Sequence, residues 1–174
     1  MESKARLAGH PIHPMLIVFP LGLLATAFIF DLIRMATGTE AFGVASFYMI
    51  AAGIIGGLLA AVFGVIDWLA IPRHTRAWRI GALHGAGNVV VLALFAVSWL
   101  LRRPDPGNPS GGAFVAALFG VVLALGTGWL GGELVDRLGV GVDAGAHLDS
   151  PSSLSHRPAS ERWAAPRPLE PRKV

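Results

Sequence analysis

Residues 9–33 read GHPIHPMLIVFPLGLLATAFIFDLI, and from Met15 onward the run carries no charge until Asp31. At 1.5 Å of rise per residue such a stretch, coiled as a helix, reaches across the ~30 Å hydrocarbon core of a bilayer. It outlasts the roughly 7–15-residue core of a cleaved signal peptide, and no small-x-small cleavage site follows before Asp31, so it is expected to stay in the mature chain. Outward from it lie three more apolar runs, residues 47–71, 80–101 and 113–134. The separators are of the right kind: residues 34–40 carry charge and a Thr-Gly-Thr turn, 72–79 are basic, and 102–112 hold three prolines and three glycines. The expected fold is therefore all-α, a four-helix transmembrane bundle of up-down topology over residues 1–144.

Composition agrees. The chain has 174 residues, 53% apolar and 14% charged, and a mean hydropathy of +0.60, whereas a soluble domain has about 25% charged residues to cover its surface. The net charge of +3 comes from loops and the C-terminal segment rather than one basic face, which argues against a nucleic-acid partner. With no cysteine there is no disulfide, thiolate zinc site, iron–sulfur cluster or thioether-linked haem, so redox chemistry would need a guest held by His, carboxylate or Met.

Four spans put the N-terminus, the second loop and the C-terminus on one side. Lys4, Arg6, Arg73, Arg76, Arg79 and Arg137 lie near the spans there, against Arg34, Arg102 and Arg103 on the other. Positive charge marks the cytoplasmic side, so both termini are expected in the cytoplasm of a cell inner membrane. Residues 145–174 are rich in Pro, Ser, Ala and Arg without apolar periodicity, the composition of a disordered tail. Gly120, Ala124, Gly128 and Gly132 recur every four residues, and Gly53, Gly56, Gly57, Ala60 and Gly64 crowd the second span. Small faces let helix backbones approach in lipid, within the bundle or in a homo-oligomer, and alternatively leave room for a flat cofactor.

Laying this topology over the ionisable residues puts His10, His13, Asp67, His84 and Glu133 in one layer toward the cytoplasmic side. Such groups are costly in a bilayer and face partners or water. Pro14 suits the first position of a helix, and Pro11 at the second position of a His10–His13 turn would bring two imidazoles together, whereas a polyproline-like segment would leave them roughly 9 Å apart, too far for one metal ion. Asp67 has only Phe63, Gly64, Ala70 and Ile71 at helical spacing, so its partner must lie on another element; His84 has Asn88 four residues on. Glu133 is spaced to pair with Arg137, and Asp31 with Arg34, the latter a structural assignment. Pro20 is expected to kink the first helix.

The opening GHPIHPMLIVFPLGLLATAFIFDLI, the Gly64-Val65-Ile66-Asp67 end of the second span, the His84 position and the closing LGGELVDRLGVGVD resemble the bacterial membrane-protein family called domain of unknown function 2231, over about residues 8–143. The family's closing motif often carries a Tyr and a His where this chain has Asp136 and Leu138. Some similar proteins are joined to Rieske-type iron–sulfur domains, which implies redox work and a redox partner.

Three functions follow as expectations. In the first, His10, His13 and His84 hold a cofactor, haem b being one candidate, or the same histidines with Asp67 and Glu133 hold a metal ion. In the second, the layer is a satisfied polar network in a structural subunit of a membrane complex. The third, cation or proton transport, ranks lower because the outer half offers only Thr26, Asp31, Ser46 and Ser98 as a polar path. No nucleophile–base pair, phosphate loop or zincin helix is present, so catalytic residues are not assigned.

Overall fold

The computed structural model describes residues 1–162. A short antiparallel hairpin opens the chain, β1 (Arg6–Leu7) with β2 (His10–Pro11). There follow α1 (Ile12–Leu16), α2 (Val18–Thr37), α3 (Glu40–Leu69), α4 (Arg76–Arg102) and α5 (Gly111–Gly132), which runs on into a π-helical turn at Glu133–Arg137. Four helical rods result, Ile12–Thr37, Glu40–Leu69, Arg76–Arg102 and Gly111–Arg137, each long and apolar enough to cross a membrane.

Local chemistry sets the ends. Thr75 and Ser110 cap α4 and α5, their hydroxyl oxygens accepting from the backbone N–H of Trp78 at 3.1 Å and Ala113 at 3.3 Å. Gly38, at φ +71°, closes α2 in the left-handed conformation that glycine adopts without strain. The first rod starts at Ile12, two residues before the expected Pro14. Its interruption falls at Ile17, about one turn ahead of Pro20, whose ring nitrogen has no hydrogen to donate. The His10–His13 turn does not form. The reversal lies instead at Ala8-Gly9, both at positive φ, and His10 and Pro11 are extended strand residues.

The rods pair as two hairpins, α2 on α3 and α4 on α5, joined along α3–α4 with a lighter α2–α5 contact. These hairpins repeat one design. His13 and His84, Leu24 and Phe95, Ala27 and Ser98, and Asp31 and Arg102 are each 71 residues apart; Gly53 and Gly120, Ala60 and Thr127, and Gly64 and Gly131 are each 67 apart. The contacts repeat with the residues. A methyl placed on Gly53 would lie 2.6 Å from Leu24, and one on Gly120 would lie 2.8 Å from Phe95.

Contacts between the hairpins repeat too, with the halves exchanged. Phe28 stacks on Phe114 at 5.4 Å, and its counterpart Trp99 stacks on Phe47, the counterpart of Phe114, at 5.3 Å. Exchange of this kind is the signature of an isologous twofold contact. The bundle is therefore a pseudo-twofold pair of hairpins within one chain. Both first helices run the same way, so the axis lies along the bundle. Its core is Leu24, Ala27, Ile50, Val91, Phe95 and Ala117, while Leu21, Tyr48, Val89, Leu125 and Trp129 stay largely exposed, as a lipid-facing surface requires.

Of the segment expected to form a tail, residues 145–162 run as turns with one 3-10 turn at Ser153–Ser155, and Ser153 meets the N-terminal hairpin through a bond from its hydroxyl to the Ala8 carbonyl at 3.3 Å. The remainder of that segment, residues 163–174, lies outside the described residues.

Candidate functional site

The five residues expected in one layer separate into four environments. His13, on α1, and His84, on α4, meet between the hairpins with ring centres 6.3 Å apart and planes at 87°. His13 Nδ1 lies 2.8 Å from the carbonyl oxygen of Ala60, and His84 Nδ1 lies 2.8 Å from that of Thr127. A carbonyl only accepts, so each Nδ1 carries the hydrogen, and in the neutral form the ring's lone pair is on Nε2. Ala60 and Thr127 are pseudo-twofold mates, so the two imidazoles are held by the same device.

Glycine makes both seats. A methyl on Gly64 would approach His13 Cε1 and Nδ1 at 3.0 Å, and one on Gly131 would approach His84 Cε1 at 3.1 Å. On the His84 side Asn88 adds a further contact: its amide nitrogen lies 3.2 Å from Nε2 and donates to the His84 carbonyl at 3.0 Å, and its Oδ1 accepts from the Thr127 hydroxyl at 3.0 Å.

The other three are engaged elsewhere. His10 is exposed on β2, its Nε2 3.2 Å from Ser153 Oγ. Asp67 finds its partner on the N-terminal segment. The Ser3 hydroxyl reaches both carboxylate oxygens at 2.8 Å, and Oδ1 also accepts from the backbone N–H of Lys4 at 2.8 Å and Ala5 at 3.3 Å. The carboxylate thus anchors the N-terminus against the end of α3. Glu133 pairs with Arg76 across helices at 2.5 Å rather than with Arg137 on its own. Among the described residues no group of three or more His, Asp or Glu is placed to hold a metal ion. Hence a five-membered metal shell of His10, His13, His84, Asp67 and Glu133 is not assembled, because His10, Asp67 and Glu133 are engaged with Ser153, the N-terminal segment and Arg76 rather than with the histidine pair.

The opposite end holds a polar centre of another kind. Arg102, expected in a loop, is the last residue of α4 and is fully buried; it grips Asp31 with Nη1 to Oδ1 and Nη2 to Oδ2, both at 2.5 Å. Its Nη1 also donates to Ser46 at 3.0 Å and its Nε to Ser98 at 3.1 Å, while Ser98 donates to the Ala113 carbonyl at 2.7 Å. Asp31 is structural, as expected, but its partner is Arg102. Arg34 instead bonds the Gly107 carbonyl and Asn108. The signal for Arg102 in the sequence is a spacing: His13 precedes Asp31 by 18 residues, and His84 precedes Arg102 by the same 18.

The molecule is a four-span membrane bundle built as two like hairpins, with a histidine pair between them near one end and a buried ion pair near the other. The chain belongs to the family described as Predicted membrane protein (DUF2231), whose model matches residues 9–144. No curated protein and no solved structure matches the chain.

Proposed function

We propose that this is an inner-membrane protein, both termini cytoplasmic, that binds haem or a metal ion through His13 and His84 in a redox-associated role. The observation carrying the reading is the shared tether. In metal-ligating histidines the second ring nitrogen donates to a carbonyl or carboxylate, which fixes the tautomer and leaves the other nitrogen for the ligand. Both imidazoles have that arrangement here. His13 and His84 would hold the ligand through Nε2, and their ring centres lie 6.3 Å apart.

Donor count favours haem. His13 and His84 would suffice as protein donors to a haem iron, whereas a bare ion would have to fill the rest of its shell with water. Bound haem would supply one-electron transfer; His13 and His84 would hold it and the Ala60 and Thr127 carbonyls would keep the rings oriented. Orientation in the membrane is supported by charge: with Arg102 buried in its ion pair, Arg34 and Arg103 alone remain near the spans on the outer side, against six basic residues on the inner.

Absorption spectroscopy and elemental analysis of the detergent-purified chain test the reading. A Soret band, or a stoichiometric metal, lost in both His13→Ala and His84→Ala and kept in His10→Ala, is the expected result. A colourless, metal-free chain sinks it. One contact favours the structural alternative, a subunit whose polar groups are satisfied for packing alone: Asn88 already faces His84 Nε2 at 3.2 Å. Under that reading His84→Ala lowers stability and changes no spectrum or metal content.

A further inference from the structure

We propose that the corner between α3 and α4 binds the phosphate headgroup of an anionic phospholipid. A cavity of ≈ 340 Å³ opens there, lined by Arg73, His74, Trp78 and Arg79. Its charge is uncompensated. Arg76, next to it in sequence, is neutralised by Glu133, while among the described residues neither Arg73 nor Arg79 forms a salt bridge. The walls are fixed rather than frayed: Trp68 and Trp78 stack with ring centres 5.2 Å apart, and Trp68 Nε1 donates to the Trp78 carbonyl at 3.0 Å.

The two guanidinium groups lie beside the N-terminal end of α4, where the helix dipole is positive, a combination suited to a phosphate monoanion. The surroundings select a lipid over free phosphate. Leu69 at the end of α3 is 65% exposed, and Leu83, one turn beyond Arg79 on the same face, is 60% exposed, so acyl chains find an apolar surface directly below the cationic rim. Basic recesses between membrane helices beside an aromatic belt suit anionic headgroups.

Native mass spectrometry of the full chain in mild detergent, with added phosphatidylglycerol or phosphatidylcholine, tests this. The wild type retains phosphatidylglycerol preferentially. Arg73→Gln and Arg79→Gln each weaken retention about fivefold, as ~1 kcal/mol per charge implies, and Arg137→Gln, an exposed arginine elsewhere at the same end, leaves it unchanged. An equal loss in Arg137→Gln would reduce the effect to diffuse surface charge and overturn the site. Equal retention of the two lipids also overturns it. Displacement of the lipid by millimolar inorganic phosphate would reassign the cavity to soluble phosphate. Circular dichroism of each variant certifies that the helices persist.

Discussion

The two ends of the bundle solve the same geometric problem in opposite ways. Where the hairpins meet on their pseudo-twofold, equivalent residues face each other. At one end the facing residues are identical, His13 and His84, with ring centres 6.3 Å apart. At the other they are Asp31 and Arg102, 0–2% exposed, where an identical pair would bury two like charges. One end has kept its symmetry and the other has broken it. The broken end carries order: a bidentate ion pair with two serine contacts specifies which hairpin sits where, a role attested for buried polar groups in other helical assemblies. The symmetric end is left with two imidazoles tethered alike through Nδ1, which is why the proposed ligand is placed there.

The largest expected effect breaks the asymmetric end. Arg102→Met strands Asp31 as an unpaired buried carboxylate and should cost about 3–5 kcal/mol in reversible unfolding in mixed micelles. Exchanging the charges, Asp31→Arg with Arg102→Asp, should recover more than half of that loss, because the positions are counterparts. Recovery stays incomplete, since Ser46 and Ser98 have Ala113 and Ala27 as counterparts. No recovery at all would show that the halves are not equivalent at this end.

A smaller effect tests the repeat in the middle. Gly53→Ala and Gly120→Ala each drive a methyl into the partner's side chain, Leu24 or Phe95, and should each cost about 1–3 kcal/mol. Gly128→Ala, with nothing within 4 Å, should be neutral or slightly stabilising although it belongs to the same regular stripe. Unequal losses at Gly53 and Gly120 would sharpen the comparison by locating where the halves have diverged. The smallest effect concerns the exchanged stacks. Phe28→Leu and Trp99→Leu should each lose about 0.5–1.5 kcal/mol of ring–ring interaction beyond the area term. Double-mutant cycles against Phe114 and Phe47 isolate that part.

The candidate site was legible in part, for reasons visible residue by residue. Helical spacing correctly gave Asp67 no partner on its own helix, yet could not supply Ser3 and the Lys4 and Ala5 amides, which arrive only when the N-terminal segment folds back. Glu133 and Asp31 each had an arginine at a local ion-pair spacing. In both cases an arginine on another helix won: exposed local pairs contribute only tenths of a kcal/mol, and at Asp31 the competing Arg102 is buried and aligned to both carboxylate oxygens, whereas Arg76 reaches one oxygen of Glu133. The glycine stripe of the fourth span misled similarly. Gly120 receives Phe95 and the offset Gly131 receives His84, while Gly128 contacts nothing; small residues permit close approach, but the neighbour decides which are used.

Sequence alone determined the number of spans and their approximate limits. Those follow from transfer energies and helix rise, which are local and additive along the chain. Only the tertiary structure decided which polar groups meet, because helix rotation and pairing are set by packing against neighbours far along the chain. It separated His10, Asp67 and Glu133 from the histidine pair, drew Arg102 into the core, and related the halves by a twofold that the 71- and 67-residue offsets had recorded. An offset becomes a symmetry only when the faces it repeats are packed against each other.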